Sequence, residues 1–202
     1  MEERKNTMQH KVKVTVIDKK LYPELQHQYC TDPNAGVCPC YHIGDTFIFE
    51  RYGTADDFWH MGQHTLTKSA YPAHTIAGGS EFTHCSEAWD AIARYIYTGL
   101  QGGSIMRGWM NDERVMIACC SDGTRPVIFK IQRMDYQVLY LSGVAEGADR
   151  EAIRRELMQI DDVTEVRFTD TWTEVFVEKE VREEQLRQAV AAAGAYSIQR
   201  ID

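Results

Sequence analysis

The sequence predicts an α+β protein of two domains. Three observations carry that reading. Short alternating segments, such as Lys11 to Ile17 with K-V-K-V-T-V-I, place every second side chain on one face and read as half-buried strands. Two long stretches, Ser86 to Leu100 and Arg182 to Ala193, repeat apolar residues at helical spacing. The composition also changes near Met134-Asp135: residues 136–202 hold no cysteine, proline or histidine and carry 14 acidic against 8 basic residues.

In chain order, residues 1–10 are polar and predicted to be a flexible N-terminus. The first strand covers Lys11 to Ile17. Residues 30–44, with Cys, Pro, Asn and Gly, read as a loop. Thr46 to Arg51 is a second strand. Residues 53–81 show no period, and an excursion of that length, about 54–80, is expected to carry function or move. Ser86 to Leu100 is a helix facing inward through Ala88, Trp89, Ile92, Ile96 and Leu100, stopped by Gly99, Gly102 and Gly103. Val115 to Cys120 and Pro126 to Gln132 are strands joined by a tight turn, with Asp122-Gly123 as the hairpin signal. Residues 11–134 form the cysteine-containing domain.

Residues 135–202 form the second domain. Tyr136 to Leu141 is a strand. Asp149 is read as the N-cap of a helix with Ile153, Leu157 and Ile160 on one face. Val163 to Phe168 and Thr171 to Glu178 are strands, and Arg182 to Ala193 is a helix facing inward with Leu186, Ala189, Val190 and Ala193. Gly194 ends it and Tyr196 to Ile201 is the last strand. The order βαββαβ is that of a ferredoxin-like domain. The junction is short and has no Gly/Ser run.

Composition excludes several classes. The 202 residues are 44% hydrophobic, enough for a core rather than a disordered chain, and the net charge is −8. That balance, with no Lys/Arg cluster, argues against a nucleic-acid groove. The apolar runs fall short of the ~20 residues that span a bilayer. Met1 to Gln9 has no apolar core behind it, so no secretory signal is read there and the cytoplasm is the expected compartment. In that compartment the six cysteines stay reduced.

Three of these cysteines sit at element ends. Cys38 lies in a loop beside Pro39. Cys85 opens a helix, where free N–H groups favour a thiolate. Cys120 closes a strand before a turn bearing Asp122 and Arg125. Three thiolates with an open fourth position suit zinc or cuprous copper. None is spaced Cys-x-x-Cys, however, and Cys38-Pro39-Cys40 is too tight for the usual zinc knuckle. The other reading is plain core cysteine, since free Cys is among the most buried residue types. In the turn, Arg125 either pairs with Asp122 as structure or holds a carboxylate or phosphate by its planar fork. His60 and His64, four apart, would share a helix face as metal ligands. His84 either tunes Cys85 or lies on the surface; His42 and His74 have no context. Trp59, Trp89 and Trp109 read as core or pocket walls, and Trp89 joins Asp122 and Arg125 as a candidate ligand-binding residue. No Gly-rich phosphate loop or nucleophilic serine elbow is present.

Two resemblances extend this. Lys11 to Val16, Cys38-Pro39, Gly44-Asp45-Thr46-Phe47, Phe82 to Trp89 (F-T-H-C-S-E-A-W) and Cys120 to Lys130 (C-S-D-G-T-R-P-V-I-F-K) resemble an uncharacterised family of small bacterial and archaeal proteins. The resemblance implies that Cys38, Cys85 and Cys120 are the pattern cysteines, that Cys30, Cys40 and Cys119 are local additions, and that the stretch 54–80 is longer than usual. In the second domain, Leu141-Ser142-Gly143-Val144, Ile160-Asp161-Asp162-Val163 and Ala193-Gly194-Ala195-Tyr196 resemble heavy-metal-associated domains. Those carry Cys-x-x-Cys where this chain has Ala145-Glu146-Gly147-Ala148-Asp149, so the domain is degenerate. No cofactor is expected there: Glu146 and Asp149 make a weak cation site, and a first-turn acid already complements the helix N-terminus.

Three functions therefore stand as expectations. The first is a metal- or small-anion-binding protein, with zinc or copper at Cys38, Cys85 and Cys120 or an anion at Arg125, its second domain serving assembly. The second is a thiol-dependent enzyme using Cys85 or Cys120. The third is a purely structural or regulatory interaction protein. An acidic chain with β-edges also suggests a homo-oligomer.

Overall fold

The computed structural model describes residues 8–50, 67–68, 85–145 and 147–202, and of 67–68 only the backbone. Over these the chain is a mixed α and β protein with four helices and antiparallel strand pairing. It divides into two units, one of His10–Arg133 and one of Met134–Asp202 joined by the start of the chain up to Gln9.

In the first unit, β1 (Gln9–Lys19) is longer than its alternating stretch. His10, expected in the flexible terminus, belongs to this strand. Val12, Val14 and Val16 are buried on one face while the residues between them are less so, the period of two that the sequence shows. Helix α1 (Pro23–Tyr29) has no counterpart in the sequence reading. Its seven residues bury only Gln26, so no 3.6-residue apolar period exists to find. Its local signals are Pro23 in the first turn, where the missing N–H costs nothing, and Glu24 beside the positive helix end. Strand β2 (Thr46–Glu50) pairs antiparallel with β1, Val14 opposite Phe47, and with β3 (Thr67–Lys68) on its other side. Arg51 and the rest of the excursion, with His60, His64, Trp59, His74 and His84, lie outside the described residues.

Helix α2 (Ser86–Leu100) has the bounds its periodicity predicts and buries Ala88, Ile92, Ile96 and Leu100. It ends where Gly102 takes φ +75, and Arg133 Nη1 donates to the carbonyls of Gly102 and Gly103 at 2.9 and 2.6 Å. That cation meets oxygens beyond the negative helix end. Gly99 has a different constraint. A Cβ there would stand 2.6 Å from Val12 Cγ2, and Val12 is fully buried on β1. Gly99→Ala gains about 1 kcal/mol of helix propensity. Overpacking a β-branched neighbour that has nowhere to move costs about 1–3 kcal/mol. The clash wins, so the variant is expected to unfold at lower denaturant concentration, read as the midpoint of a urea melt.

Strand β4 (Val115–Cys119) pairs antiparallel with β5 (Val127–Ser142), Cys119 opposite Ile128. β5 also neighbours β1. Beyond the strand ends, the Lys20 and Tyr22 N–H groups donate to the Pro126 and Thr124 carbonyls at 2.9 Å each, so these segments run in opposite senses. Two expectations are corrected here. Pro126 to Gln132 and Tyr136 to Leu141 were read as separate strands, yet they form one strand of 16 residues, and Met134-Asp135 lies inside it. The polar run Gln132-Arg133-Met134-Asp135 breaks the apolar alternation without breaking the backbone ladder. Asp122-Gly123 does lie in the connection of the antiparallel pair β4 and β5, but Gly123 does not take the positive φ that its hairpin signal implies. Trp109, read as a core or pocket wall, is 75% exposed and so walls no core.

In the second unit the order across the strands is β6 (Val163–Phe168), β7 (Thr173–Val177), the later half of β5, then β8 (Ser197–Ile201), all neighbours antiparallel. Helices α3 (Ala148–Leu157) and α4 (Glu183–Ala193) bury Ile153, Leu157, Leu186 and Val190 among Leu139, Val166, Val175 and Val177. Asp149 is not the N-cap of α3. That place falls to Gly147 at φ +76, and Asp149 enters the first turn, where its carboxylate accepts the Ala145 N–H at 2.9 Å. The Ala145 N–H first, then Tyr196, hold the Asp149 carboxyl below the usual carboxylate range.

Candidate functional site

Four of the six cysteines of the first unit, Cys38, Cys40, Cys85 and Cys120, act electrostatically on Tyr41. This residue is 5% exposed and meets the rings of Phe47 and Phe129 edge-on, at centroid distances of 5.9 and 5.5 Å. Burial holds its hydroxyl neutral far above the ordinary tyrosine range. The charges of Cys85, Cys40, Cys38 and Cys120, in that order, add to the effect. Four thiols from three remote stretches thus lie within electrostatic reach of one buried phenol. Cys38 and Cys85 pack half-buried against the same apolar cluster that contains Cys120.

The loop that carries Cys38 and Cys40 is pinned at both ends. On one side Gln26, almost wholly buried in α1, donates through Nε2 to the Gly36 carbonyl at 3.0 Å. It accepts the Gly36 N–H through Oε1 at 3.1 Å. A glutamine amide can do both at once, so it stands in for a neighbouring backbone strand. On the other side Lys19 Nζ donates to the Tyr41 carbonyl at 2.7 Å, and the His42 N–H donates to Asp45 Oδ2 at 2.7 Å. Gly44, at φ +97, lets the chain turn back into β2.

Cys85 is the N-cap residue of α2, the place the sequence gives it, and its side chain makes no capping hydrogen bond. Cys120 is buried and its sulfur accepts the Val127 N–H at 3.3 Å. Burial pushes its thiol up, so Cys120 behaves as a packed core group rather than a poised nucleophile. Cys40 is exposed, but the surroundings of its sulfur withhold enough water to push its thiol up. The charges of Cys38 and Cys85 push the same way, and Arg125 opposes them.

Asp122 organises the turn after Cys120. Its Oδ1 accepts the Thr124 N–H at 2.9 Å, the Thr124 hydroxyl at 2.8 Å and the Arg125 N–H at 3.2 Å, and Oδ2 accepts Arg125 Nε at 3.0 Å. Burial would raise this carboxyl, but the Thr124 and Arg125 bonds outweigh it and set it below the usual range. This is the local side-chain turn that aspartate favours, and it replaces the glycine-based hairpin. Arg125 is charged more firmly by Asp122, and its charge also reaches Cys38 and Cys40. Only its Nε edge is bonded to a side chain among the described residues, to Asp122. Trp89 stacks on Phe49 at 6.0 Å and 27° and meets Tyr97 edge-on at 6.2 Å, so it walls the core.

Among the described residues no group of three or more His, Cys, Asp or Glu stands ready to hold a metal ion, and the set Cys38, Cys85 and Cys120 is not one. His60 and His64, the other metal candidates, lie outside the described residues, as does Glu146. What the sequence reading missed is Cys40 and Tyr41. Cys40 was set aside as a local addition, and Tyr41 has no motif. The available signal was Cys38-Pro39-Cys40-Tyr41, two thiols one residue apart followed by a large aromatic in an otherwise polar loop. No helix of the described residues is long and apolar enough to cross a membrane.

No family model, curated protein or solved structure matches the chain.

Proposed function

We propose that the His10–Arg133 unit is a binding module for a soft, thiophilic metal ion, with Cys38 and Cys40 as its ligands. The observation that carries this reading is that Cys38, in one loop with Cys40, packs with Cys85 against the core cluster that holds Tyr41 and Cys120. Each thiol raises the cost of ionising its neighbour, and a bound cation removes that cost while displacing the protons. Thiolate sulfur selects cuprous copper over hard ions, and cuprous copper accepts two ligands where zinc asks for four. A cuprous ion between two thiolates carries net negative charge, which Arg125 offsets. The Met134–Asp202 unit is read as ferredoxin-like, from the antiparallel order β6-β7-β5-β8 with two helices, and as the part that mediates assembly through its strand edges.

The test is a titration of reduced protein with cuprous ion against a chromogenic chelator. One equivalent is expected to stay with the wild-type chain, Cys38→Ser and Cys40→Ser are each expected to lose it, and Asp149→Ala is expected to keep it. Equal retention by wild type and both serine variants removes the proposal.

A further inference from the structure

We propose that Asp122 is a latent isoaspartate site, held closed by the hydrogen bonds that Thr124 and Arg125 make to its side chain. Asp122-Gly123 is the one Asp-Gly pair of the chain, and there is no Asn-Gly. Glycine hinders attack of its own amide nitrogen on a preceding carboxyl group least, because it has no side chain and the widest backbone freedom. Gly123 is exposed, and no heavy atom lies within 4 Å of the place a Cβ would take. The Asp122 side chain is 30% exposed, so water reaches it. Sequence and access therefore favour the reaction, and the hydrogen bonds oppose it. The four donors on the carboxylate are the Thr124 N–H and hydroxyl and the Arg125 N–H and Nε, with none from Gly123. A five-membered ring forces the aspartate side chain away from its staggered positions. A carboxylate fixed by four bonds reaches that geometry only by breaking them. The Arg125 guanidinium also favours the ionised carboxylate, which is a poor acceptor of a nucleophile.

The Gly123 nitrogen attacks Cγ of the protonated Asp122 carboxyl group. A C–N bond forms, a C–O bond breaks, and one water leaves with the amide proton and the carboxyl proton, closing a succinimide. One water then adds to either ring carbonyl. Opening at the side-chain carbonyl restores aspartate. Opening at the main-chain carbonyl leaves the chain running through Cβ, as isoaspartate. One water is released and one consumed, so the change is an isomerisation that needs no other reactant. Its product inserts a methylene into the backbone between Cys120 and Pro126 and moves the carboxylate, so the bonds that close the turn are lost with it.

The experiment uses the full chain, stripped of metal by a chelator, so that failure of cuprous binding leaves its outcome unaffected. The folded protein is incubated at neutral pH and digested, and isoaspartate at Asp122 is measured by mass spectrometry over time. A synthetic peptide of residues 121–128 gives the rate of the same bond without the fold. Wild type is expected to isomerise several-fold more slowly than the peptide. Thr124→Val with Arg125→Met removes two of the four bonds and keeps side-chain bulk. Its rate is expected to rise about tenfold, the factor carried by losing one hydrogen bond to a charged group. Gly99→Ala, destabilised far along the sequence from the turn, is expected to keep the wild-type rate, which separates loss of these bonds from general loosening. Isomerisation of wild type at the peptide's rate overturns the proposal. So does a double variant no faster than wild type, or Gly99→Ala as fast as the double variant.

Discussion

Phe129→Ala is expected to cost about 3–5 kcal/mol of unfolding free energy, the range for removing a buried phenyl ring from a packed core. Phe129 is 1% exposed on the strand that pairs with β4, and its ring supports Tyr41 edge-on at 5.5 Å. The cavity would open directly beneath the cysteine loop, with Tyr41 losing one of its two aromatic walls. A urea or guanidinium melt reads the stability. The alkylation rate of Cys38, measured below the unfolding transition, reads the loop. Both should change, the second upward. A melt within about 1 kcal/mol of wild type would mean that Phe129 is not the packing centre its burial indicates.

The second large effect is alkaline instability. Tyr41 is held neutral in the folded chain by burial and then by the charges of the thiols around it. Cys120 and Cys40 are pushed up by burial as well. For each group the folded pKa is above the unfolded one, so the folded state keeps protons that the unfolded state releases. The stability these groups contribute is full below the ordinary thiol range and is lost as the pH rises. Thiol loss begins at about pH 8.5 and tyrosine loss at about pH 10. Above that point Tyr41 alone lowers the unfolding free energy by about 1.4 kcal/mol per pH unit until the folded state titrates or opens. Tyr41→Phe keeps the ring and removes the hydroxyl, so its stability is expected to fall less steeply above pH 10. Urea melts at stepped pH measure the two slopes. Parallel slopes would show that Tyr41 is not the group that titrates.

Much of the backbone was legible without coordinates. Helix α2, strand β6 and the inward faces of α3 and α4 follow from periodicity, because a helix or strand buries a face whose spacing is fixed by its own geometry. Where that signal failed, the cause was local and physical. Helix α1 buries one glutamine and so shows no apolar stripe. The Asp122 turn uses side-chain hydrogen bonds in place of a left-handed glycine. Strand β5 continues through a polar stretch because backbone pairing, unlike burial, does not depend on side-chain polarity.

By itself, then, the amino-acid order determined the strongly periodic elements and their inward faces, and that thiols stand at loop and element ends. Its one hint toward Cys40 over Cys30 or Cys119 is the stretch Cys38-Pro39-Cys40-Tyr41. Only the tertiary structure decided that Cys38, Cys85 and Cys120 pack in one cluster with Tyr41. The physical reason is range. Periodicity is set by neighbours a few residues apart. The meeting of residues 38, 85 and 120 depends on the pairing of β1 with β2 and of β4 with β5, and on α2 burying its face in the same core.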